Sequence, residues 1–515
     1  APITRPSLPW TEGAVLLRSI TGKLMPFQPL SNELSHHVYL VCGEPGFGKS
    51  LLCQIILQAI AESHEILPYM AITDVGPSSL GTIRYLQSIL PNHQKHLSTY
   101  VEMRNSEDMS INRFDTPLGL RYPMADDFEG MRDWIILGLS DSQTGEVLSG
   151  VDTLSASALK LAFDRCADKG PRSEPKRHEI ENQKDPFWGP VIQPALDRHG
   201  IKVSRNTIYW ALVDRLYNKG EFRAASLVQR FAVPLLADVV SACHSNEIQK
   251  AHRNEISKNF TYADYAHQRL TALKEEMLVC HLPTQFDLSD VRVSSFNLEG
   301  VVQNADTPSA KRKGALFFGL TSALQVEPFF WDKARVKNVP KEFREYHEQR
   351  LTHVQRTKNI YFADEQHYFT GIDAANKIPD NIATLGRKRG IGVMLSTQLP
   401  RHFTPITREL SKIRIYVGFE RSSIQGVART MDLSEEEQWL LANRVRKPGR
   451  EGSMFIMQVE AKDGYYSQLC NLRVGVRKLW GVSTQPVSTY VREDVIQELG
   501  YEAGIDILAR IYPEG

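Results

Sequence analysis

The sequence predicts an α/β fold in which a central, largely parallel β-sheet carries an inserted all-α region. Three observations predict it. Residues 41–51, VCGEPGFGKSL, place a glycine-rich loop directly after an apolar strand and directly before an amphipathic helix. Residues 36–125 alternate strand-like and helix-like patterns, with strands predicted at 37–42 and 69–74, whereas residues 126–285 carry mainly helical periodicity, including a helix over 221–241 with a kink at Pro234. Strand-like patterning then returns from residue 286, with strands predicted at 291–302, 359–363 and 392–397.

The glycine-rich loop has the G-x-x-x-x-G-K-S pattern that cradles nucleotide phosphates. The residues predicted to bind the nucleotide are Gly43, Glu44, Pro45, Gly46, Phe47, Gly48, Lys49, Ser50 and Leu51. The glycines let successive N–H groups point at phosphate oxygens, and the start of the next helix adds positive potential. Lys49 supplies a charge for the outer phosphates, and Ser50 offers a hydroxyl to Mg²⁺. The loop therefore predicts a site for ATP and Mg²⁺.

Size and composition exclude several classes of protein. The 515 residues, 42% of them hydrophobic, suffice for one large domain or two to three ordinary ones. Lys plus Arg (61) nearly cancels Asp plus Glu (60), so no global charge favours nucleic acid or an anionic membrane, although a local basic patch stays open. The six cysteines show no CxxC or Cys/His spacing, which argues against disulfides and structural zinc and favours a reducing cytosol.

No apolar run is long enough to span a bilayer. The sequence begins APITRP without a methionine or a signal-like pattern, so we expect it to be a piece of a longer protein. Any membrane anchor would then lie outside it.

A strand that ends in two carboxylates follows far downstream of the loop. Residues 360–365 read IYFADE, so that Asp364 and Glu365 end an apolar strand. In P-loop enzymes the first such carboxylate orders the Mg²⁺ shell and the second polarises the attacking water. Seen alone, the pair would be read as solvated acids at a strand end. With the upstream loop the metal-site interpretation is favoured. Asp74 ends another predicted strand, where α/β sheets place ligand-facing residues.

A basic segment precedes the next strand. Residues 386–392, GRKRGIG, predict a basic turn that leads into a buried strand with Gln398 at its polar end, beside the carboxylates. A neutral amide there would sense the γ-phosphate or orient water. Arg387 or Arg389 would reach the nucleotide of a neighbouring subunit, and a solvated basic turn is the alternative. His367 is interpreted as a structural rather than a catalytic group.

Together these motifs resemble the traffic ATPases of type IV secretion and conjugation systems, which belong to the RecA-like class of hexameric translocases. The resemblance rests on GEPGFGKS, on a strand ending in DVGPSS, on the helical insertion, on the Asp-Glu strand and on GRKRGIG with STQ. Residues 113–119, RFDTPLG, are similar to the Dot/Icm (type IVB) branch and the ATPase region of its large ATPase. The resemblance covers most of residues 30–480.

The resemblance implies a RecA-like P-loop NTPase and assigns roles to individual residues. Lys49 and Ser50 would hold phosphate and Mg²⁺, Asp364 would be the metal-shell carboxylate, and Glu365 would activate water. Arg387 would be a finger acting in trans and Gln398 a sensor of the γ-phosphate. The predicted catalytic set is therefore Glu365, Lys49, Arg387 and Gln398, and the predicted metal ligands are Ser50 and Asp364.

The resemblance also implies a function and partners. The protein would be a Mg²⁺-dependent ATPase that energises translocation or assembly by a Dot/Icm-like type IV secretion apparatus. It would work as a ring, a hexamer in the assembled system, at the cytoplasmic face of the bacterial inner membrane. Its partners would be a second hexameric ATPase, inner-membrane components and an exported protein or nucleoprotein. The alternatives are a hexameric DNA translocase and a scaffold that binds nucleotide only for its structure.

We therefore predict four parts of the chain. They are the N-terminal part of the ATPase domain with the phosphate loop (1–125), an all-α insertion (126–285), the C-terminal part with the acid-pair strand and sensor (286–480) and a helical tail (481–515). The tail predicts an amphipathic helix that either packs on its own core, which we favour, or contacts a neighbouring subunit.

Overall fold

An eleven-stranded sheet organises the chain and brings the ends of several strands to one edge. The computed structural model describes residues 7–141, 144–253, 255–257, 260–302, 307–368, 371–484 and 486–513. Its strands are β1 (Val15–Ser19), β2 (Leu24–Phe27), β3 (Val38–Gly43), β4 (Met70–Asp74), β5 (Ser98–Glu102), β6 (Glu255–Ser257), β7 (Phe260–Thr261), β8 (Val293–Asn297), β9 (Asn359–Ala363), β10 (Ile391–Thr397), β11 (Ile413–Gly418), β12 (Ser453–Ala461) and β13 (Gly464–Leu472).

The order of strands in the sheet is β2-β1-β13-β12-β11-β3-β10-β9-β4-β8-β5, and β6 and β7 form a separate small ribbon. From β11 to β5 every pair of neighbours is parallel. From β2 to β11 every pair is antiparallel. The parallel part therefore collects the carboxyl ends of β3, β4, β9 and β10 at one edge, where open α/β sheets bind ligands.

The helices cover both faces of the sheet. The first ten are α1 (Lys49–Glu62), α2 (Leu80–Ile89), α3 (Ala125–Leu139), α4 (Val151–Cys166), α5 (Gln193–Arg198), α6 (Tyr209–Asn218), α7 (Phe222–Gln229), α8 (Leu236–Cys243), α9 (Asn246–Ala251) and α10 (Tyr262–Glu276). The others are α11 (Pro308–Val326), α12 (Lys333–Lys337), α13 (Arg344–Gln355), α14 (Asp373–Arg389), α15 (Pro405–Leu410), α16 (Arg421–Met431), α17 (Glu435–Asn443), α18 (Val476–Val482), α19 (Pro486–Leu499) and α20 (Tyr501–Ile511).

The central strands are apolar because both of their faces are covered. Strands β3, β9 and β10 are buried along their whole length. Alternate residues of β3 enter different hydrophobic clusters: Val38 and Leu40 join the cluster with α3, α4 and α11, whereas Tyr39 and Val41 join the cluster with α1 and α2. Continuous hydrophobic runs are typical of such doubly covered parallel strands.

Most predicted elements of the sheet are confirmed. The predicted strand 359–363 coincides with β9. The strand predicted at 37–42 is displaced by one residue, the one at 69–74 is one residue shorter, and the one at 392–397 is one residue longer. The strand predicted over 291–302 is only Val293–Asn297. The antiparallel strands β1, β2 and β13, and the parallel edge strand β5, were not predicted.

Two predictions about helices are wrong. The segment 386–389 is not a turn but the last turn of α14, which ends at Gly390 in a left-handed conformation with φ 68°. A glycine there ends a helix at no steric cost. The kinked helix predicted over 221–241 is two helices, α7 and α8, separated around Pro234, because proline removes a backbone donor and clashes with the preceding turn.

The chain between β5 and β8 is mainly helical, as predicted, and it also contains the β6–β7 ribbon. Helices α3, α4, α8 and α10 pack on one face of the sheet, whereas α5, α6 and α7 form a separate hydrophobic cluster with residues near α12 and α13. The division of the chain into domains stays a prediction.

The tail lies on its own chain, against α1 and α2. Its helices share a small cluster of Trp480, Ile496, Ile505 and Leu508. The Arg492 side chain, 1% exposed, donates hydrogen bonds to the carbonyls of Trp480, Gly481 and Ser483 at the end of α18. Gln54 of α1 donates to the Val482 carbonyl at 3.1 Å. A buried arginine with this many carbonyl partners stabilises the turn between α18 and α19.

Across the described part of the chain, the helices lack the combination of length and apolar character that crossing a membrane requires.

Candidate functional site

The glycine-rich loop connects β3 to α1 in the form that binds phosphate. Gly46 and Gly48 have φ angles of 84° and 87°, a left-handed conformation that favours glycine, and Gly48 is the residue immediately before α1. A Cβ on Gly43 would lie 2.2 Å from the Val417 side chain, so only glycine lets β3 and β11 approach here. The first backbone N–H groups of α1 therefore face the space above the loop, where a helix start favours anions.

Lys49 and the acid pair meet at this edge of the sheet although 315 positions separate Lys49 from Asp364. The Lys49 Nζ lies 3.1 Å from Asp364 Oδ1 and 2.6 Å from Glu365 Oε1. Lys49 is 5% exposed and Asp364 3% exposed. Burial lowers the pKa of Lys49, but the two carboxylates outweigh it and raise that pKa. The lysine is thus a charged, buried group bound to both acids.

Glu365 is held in a strained backbone conformation. Its φ of 53° lies in the left-handed region, which for a residue other than glycine costs on the order of 1–3 kcal/mol. Its N–H donates to Asp364 Oδ1 at 2.9 Å, and Oε2 lies 2.9 Å from His367 Nδ1. Burial raises the pKa of Glu365, but His367 and Lys49 outweigh burial and lower it to about 2. The strain points to a functional constraint at this residue.

Asp74 lies beside the acid pair at the end of β4. The Thr73 carbonyl accepts a hydrogen bond from the Asp364 N–H at 2.9 Å, which joins the ends of β4 and β9. Oδ2 of Asp74 accepts from the Ser78 hydroxyl and the Ser79 N–H, whereas Oδ1 is buried without a hydrogen-bond partner. Burial and the charge of Asp364 raise the pKa of Asp74 to about 7. The position of Asp74 in the sequence indicated a ligand-facing residue. It did not indicate that the charge of Asp364 acts on the Asp74 carboxyl group.

Other loop residues anchor the loop rather than face a ligand. The Glu44 carboxylate accepts hydrogen bonds from the Glu420 N–H at 3.0 Å and the Ser423 hydroxyl at 2.5 Å, which ties the loop to the start of α16. The Phe47 ring is buried against Gly418. Pro45 is exposed, Ser50 is half-buried near the start of α1, and Leu51 packs on the core.

The sequence prediction missed a basic loop beside the phosphate loop. Residues 444–450, RVRKPGR, connect α17 to β12. Lys447 Nζ lies 5.6 Å from the centroid of the Phe47 ring, and a Cβ on Gly48 would lie 2.8 Å from the Pro448 ring. The sequence shows a Pro-Gly turn with four basic residues in this segment. It does not indicate that β12, which follows the turn, lies two strands from β3 in the sheet.

Gln398, the sensor candidate, and Arg387, a finger candidate, lie at opposite ends of β10. Gln398 directly follows Thr397, which pairs with Cys42 immediately before the phosphate loop. Arg387 lies at the other end of β10, where burial and the charge of Arg387 lower the pKa of His36. Because β10 spans seven residues, about 20 Å at roughly 3.3 Å per residue, Arg387 cannot reach the phosphate loop of its own chain.

Arg387 is exposed, whereas Arg389 is held within its own chain. Arg389 Nη2 lies 2.9 Å from Asp332 Oδ2, and its guanidinium lies over the Phe330 ring. Of these two arginines, the exposed Arg387 is therefore the better candidate for contact with a neighbouring subunit.

The oxygen atoms at this edge fit Mg²⁺. Ser50 provides a hydroxyl and Asp364 a carboxylate, and Oδ1 of Asp74 is a buried acceptor without a partner. Mg²⁺ bound with nucleotides uses one or two protein oxygens together with phosphate oxygens and water. Among the residues described, no cluster of three or more His, Cys, Asp or Glu side chains could bind a metal without such phosphates.

Stability should depend on pH through Asp74. A folded pKa of about 7 against an ordinary value of 3.8 means that the native state keeps a proton that the unfolded state releases, so stability falls as the pH rises from 4 to 7. Asp74→Asn removes this effect and is expected to stabilise the nucleotide-free protein at pH 8, by up to roughly 4 kcal/mol, with the gain vanishing near pH 4. Urea unfolding between pH 4 and pH 8 measures it.

The exposed Asp290 provides the control, since Asp290→Asn should leave the pH profile unchanged. Equal stability of Asp74→Asn and the native sequence at pH 8 would show that Asp74 is charged and solvated there.

The structure is similar over almost its whole length to that of VirB4 from Thermoanaerobacter pseudethanolicus. The TM-score is 0.55 at 14% sequence identity, and the match covers 92% of this chain and 100% of that chain. The chain has the VirB4 fold. This confirms the predicted α/β, RecA-like P-loop fold with its mostly parallel sheet. The plasmid coupling protein TrwB, solved with the non-hydrolysable ATP analogue ADPNP, matches at a TM-score of 0.42 and 12% identity, over 89% of each chain.

No family model matches the sequence, and no curated protein matches it. The low identity to VirB4 means that the comparison establishes the fold, while the roles of individual residues rest on the geometry of this chain.

Proposed function

We propose that the protein is a Mg²⁺-dependent ATPase of the type IV secretion and conjugation class. The observation that carries the proposal is the meeting of Lys49, Asp364 and Glu365 above the phosphate loop. Similarity to the VirB4 fold supports the class. Within it we propose the Dot/Icm branch and its large ATPase, DotO/IcmB, on the strength of the segment RFDTPLG at residues 113–119.

In the proposed mechanism each residue has its own step. The loop N–H groups and Lys49 bind the phosphates, and Ser50 and Asp364 would hold the metal. Bound Mg²⁺ would neutralise charge on the β- and γ-phosphate oxygens. Glu365 accepts a proton from water as the water oxygen bonds to the γ-phosphorus and the bond from phosphorus to the ADP oxygen breaks. Gln398, at the end of β10, orients the water or senses the γ-phosphate.

Without nucleotide, Lys49 is occupied by the acids that would act in hydrolysis. The γ-phosphate therefore competes with Glu365 for Lys49, whose Nζ is 2.6 Å from Oε1. Nucleotide binding would release the Glu365 carboxylate toward water and leave His367 as its neighbour. This exchange of partners would give the ATP and ADP states different contacts at the end of β9, which is what a motor requires.

Hydrolysis measurements test the proposal and separate it from the DNA translocase. We expect phosphate release from ATP that requires Mg²⁺ and does not change when DNA is added. Stimulation by DNA that weakens with salt would instead favour a DNA translocase, because contacts with DNA phosphates are screened by ions. Absence of nucleotide binding by calorimetry would reject both.

We propose further that the protein acts as a ring, a hexamer in the assembled system, with Arg387 contacting the nucleotide of its neighbour. Turnover per chain should then rise with protein concentration until it reaches a plateau. Arg387→Ala should lower the turnover at that plateau about 10³-fold, the smaller of the effects known for arginine fingers. Arg389→Ala is the matched control, since Arg389 is paired with Asp332. Turnover independent of concentration, with no larger species by mass measurement, would remove the trans arrangement.

The remaining partners follow the same proposal. They are a second hexameric ATPase, inner-membrane components at the cytoplasmic face, and an exported protein or nucleoprotein. An inactive Lys49→Ala variant that still assembles but does not support export would separate the motor role from that of a nucleotide-binding scaffold.

A further inference from the structure

A second cavity lies at the sheet edge opposite the phosphate loop. It encloses about 660 Å³ between α3, α11 and α14 and the starting ends of β4 and β8. Small-molecule sites commonly occupy about 300–1,000 Å³. The segment 113–119, whose sequence suggested the branch of the family, forms part of its wall. The proposed ATPase mechanism uses none of these residues, so the cavity requires a separate explanation.

Arg113 lines this cavity, and among the residues described no carboxylate forms an ion pair with it. The described residues include no hydrogen bond or ion pair to its guanidinium, and its Nε is buried without a partner. Gly130 of α3 makes room for the group, because a Cβ there would lie 2.8 Å from Arg113 Nη2. Burial lowers the pKa of Arg113 to about 10, although the charges of Asp127 and Asp133 raise it. It nevertheless stays charged at neutral pH.

The neighbouring acids are already paired with other cations. Asp127 forms an ion pair with Arg335, and Asp133 forms one with Lys377. A third acid in the wall, the half-buried Glu327, lies 2.6 Å from Arg350 and accepts a hydrogen bond from the Trp331 indole. These acids attract Arg113 only from a distance, and their ion pairs are formed with other cations. Arg113 is half-buried, and a guanidinium that is shielded from water without a partner is disfavoured until an anion binds.

One part of the cavity wall is apolar. Trp134 of α3, Leu320, Ala323 and Leu324 of α11, and Phe329 line it. The Trp134 indole N–H is already used, since it donates to the Leu316 carbonyl at 3.1 Å. The aromatic face is thus available for packing and not for hydrogen bonding. A ligand that fits both features carries one anionic group and an apolar body.

We propose that this cavity binds a small organic anion, with a carboxylate, sulfonate or phosphate on Arg113 and an aromatic or aliphatic body against Trp134 and α11. A guanidinium binds such groups through two parallel N–H donors. The proposal is independent of ATP hydrolysis at the other edge of the sheet. It predicts binding by a chain whether or not its phosphate loop is active.

The probe for this site is 8-anilinonaphthalene-1-sulfonate, which joins a sulfonate to an apolar aromatic body and fluoresces when it binds. We expect saturable binding at one probe per chain. Arg113→Met should weaken it at least tenfold, since it keeps the side-chain length but removes the charge. Arg104→Met is the matched control, because Arg104 is an exposed arginine paired with Asp108. The probe should also raise the melting temperature of the native sequence and not that of Arg113→Met.

A second variant tests the volume instead of the charge. Ala323→Phe keeps Arg113 and fills the apolar part of the cavity, so it should also abolish saturable binding, and it carries the test if Arg113→Met does not fold. Without probe, Arg113→Met should be at least as stable as the native sequence, because an unpartnered, half-buried charge is removed. Unchanged binding by Arg113→Met or Ala323→Phe, or no saturable binding by the native sequence, would overturn the proposal.

Discussion

Replacing Lys49 with alanine is expected to weaken ATP binding about 10- to 100-fold and to destabilise the nucleotide-free protein by about 3–5 kcal/mol. The first effect follows because a charge-assisted contact to phosphate contributes roughly 1.5–3 kcal/mol. The second follows because Asp364 and Glu365 would stay buried without the cation that now lies 3.1 and 2.6 Å from them. Calorimetric titration and denaturant unfolding measure the two effects.

The destabilisation of Lys49→Ala should depend on pH. Lys49 helps to lower the pKa of Glu365, so that pKa rises without the lysine, and the variant binds a proton more readily and recovers stability as the pH falls below neutral. Adding Glu365→Gln should restore part of the stability, because one of the two uncompensated charges is then absent. Lys23→Ala, at an exposed lysine in the β1–β2 turn, is the control and should change neither property. Normal ATP affinity in Lys49→Ala would exclude the loop as the nucleotide site.

Replacing Glu365 with glutamine is expected to lower turnover about 10²- to 10⁴-fold, the usual contribution of a general base, while ATP binding is kept. Binding should be equal or tighter, because the neutral amide competes less with the γ-phosphate for Lys49. The φ of 53° at residue 365 costs the same for either side chain, so stability reflects only the lost charge. Single-turnover hydrolysis together with equilibrium titration of ATP separates the two quantities.

Glu299→Gln is the matched control for this prediction. Glu299 is an exposed carboxylate just beyond the end of β8, on the same side of the sheet, and its removal should leave turnover unchanged. If Glu365→Gln hydrolyses ATP at the native rate, the general base is another group, and Asp74 would be the next to replace.

The residues that meet at the phosphate loop were predictable because each ends a strand or a loop of recognisable pattern. The G-x-x-x-x-G-K-S loop identified β3 and α1, and the apolar run before Asp364 identified β9. Parallel strands bring their carboxyl ends to one edge of the sheet. The predicted α/β fold alone therefore implied that Lys49 and Asp364 lie at the same edge. The segment before β10 was assigned wrongly because a basic run preceding a glycine is typical of turns and of helix C-termini alike.

The residues that were missed belong to contacts without a local signal. The loop 444–450 reaches the phosphate loop only because β12 and β11 pair antiparallel beside β3. Likewise, nothing in the pattern around Arg113 indicates that Asp127 and Asp133 are paired with Arg335 and Lys377 and leave the guanidinium without a partner. Long-range pairing depends on strand order, which alternation and spacing do not specify.

By itself, the sequence determined the chemistry of this protein: a phosphate loop, a pair of carboxylates after a buried strand, and a mainly helical region between the halves of the sheet. These are local properties, since periodicity and glycine placement act over a few residues. Only the tertiary structure decided which strands are neighbours and showed that Arg387 and Arg113 lie away from the phosphate loop. It placed Glu365 and Lys49 at one edge and Arg387 and Arg113 at the other, because strand order and helix direction follow from packing of the whole core.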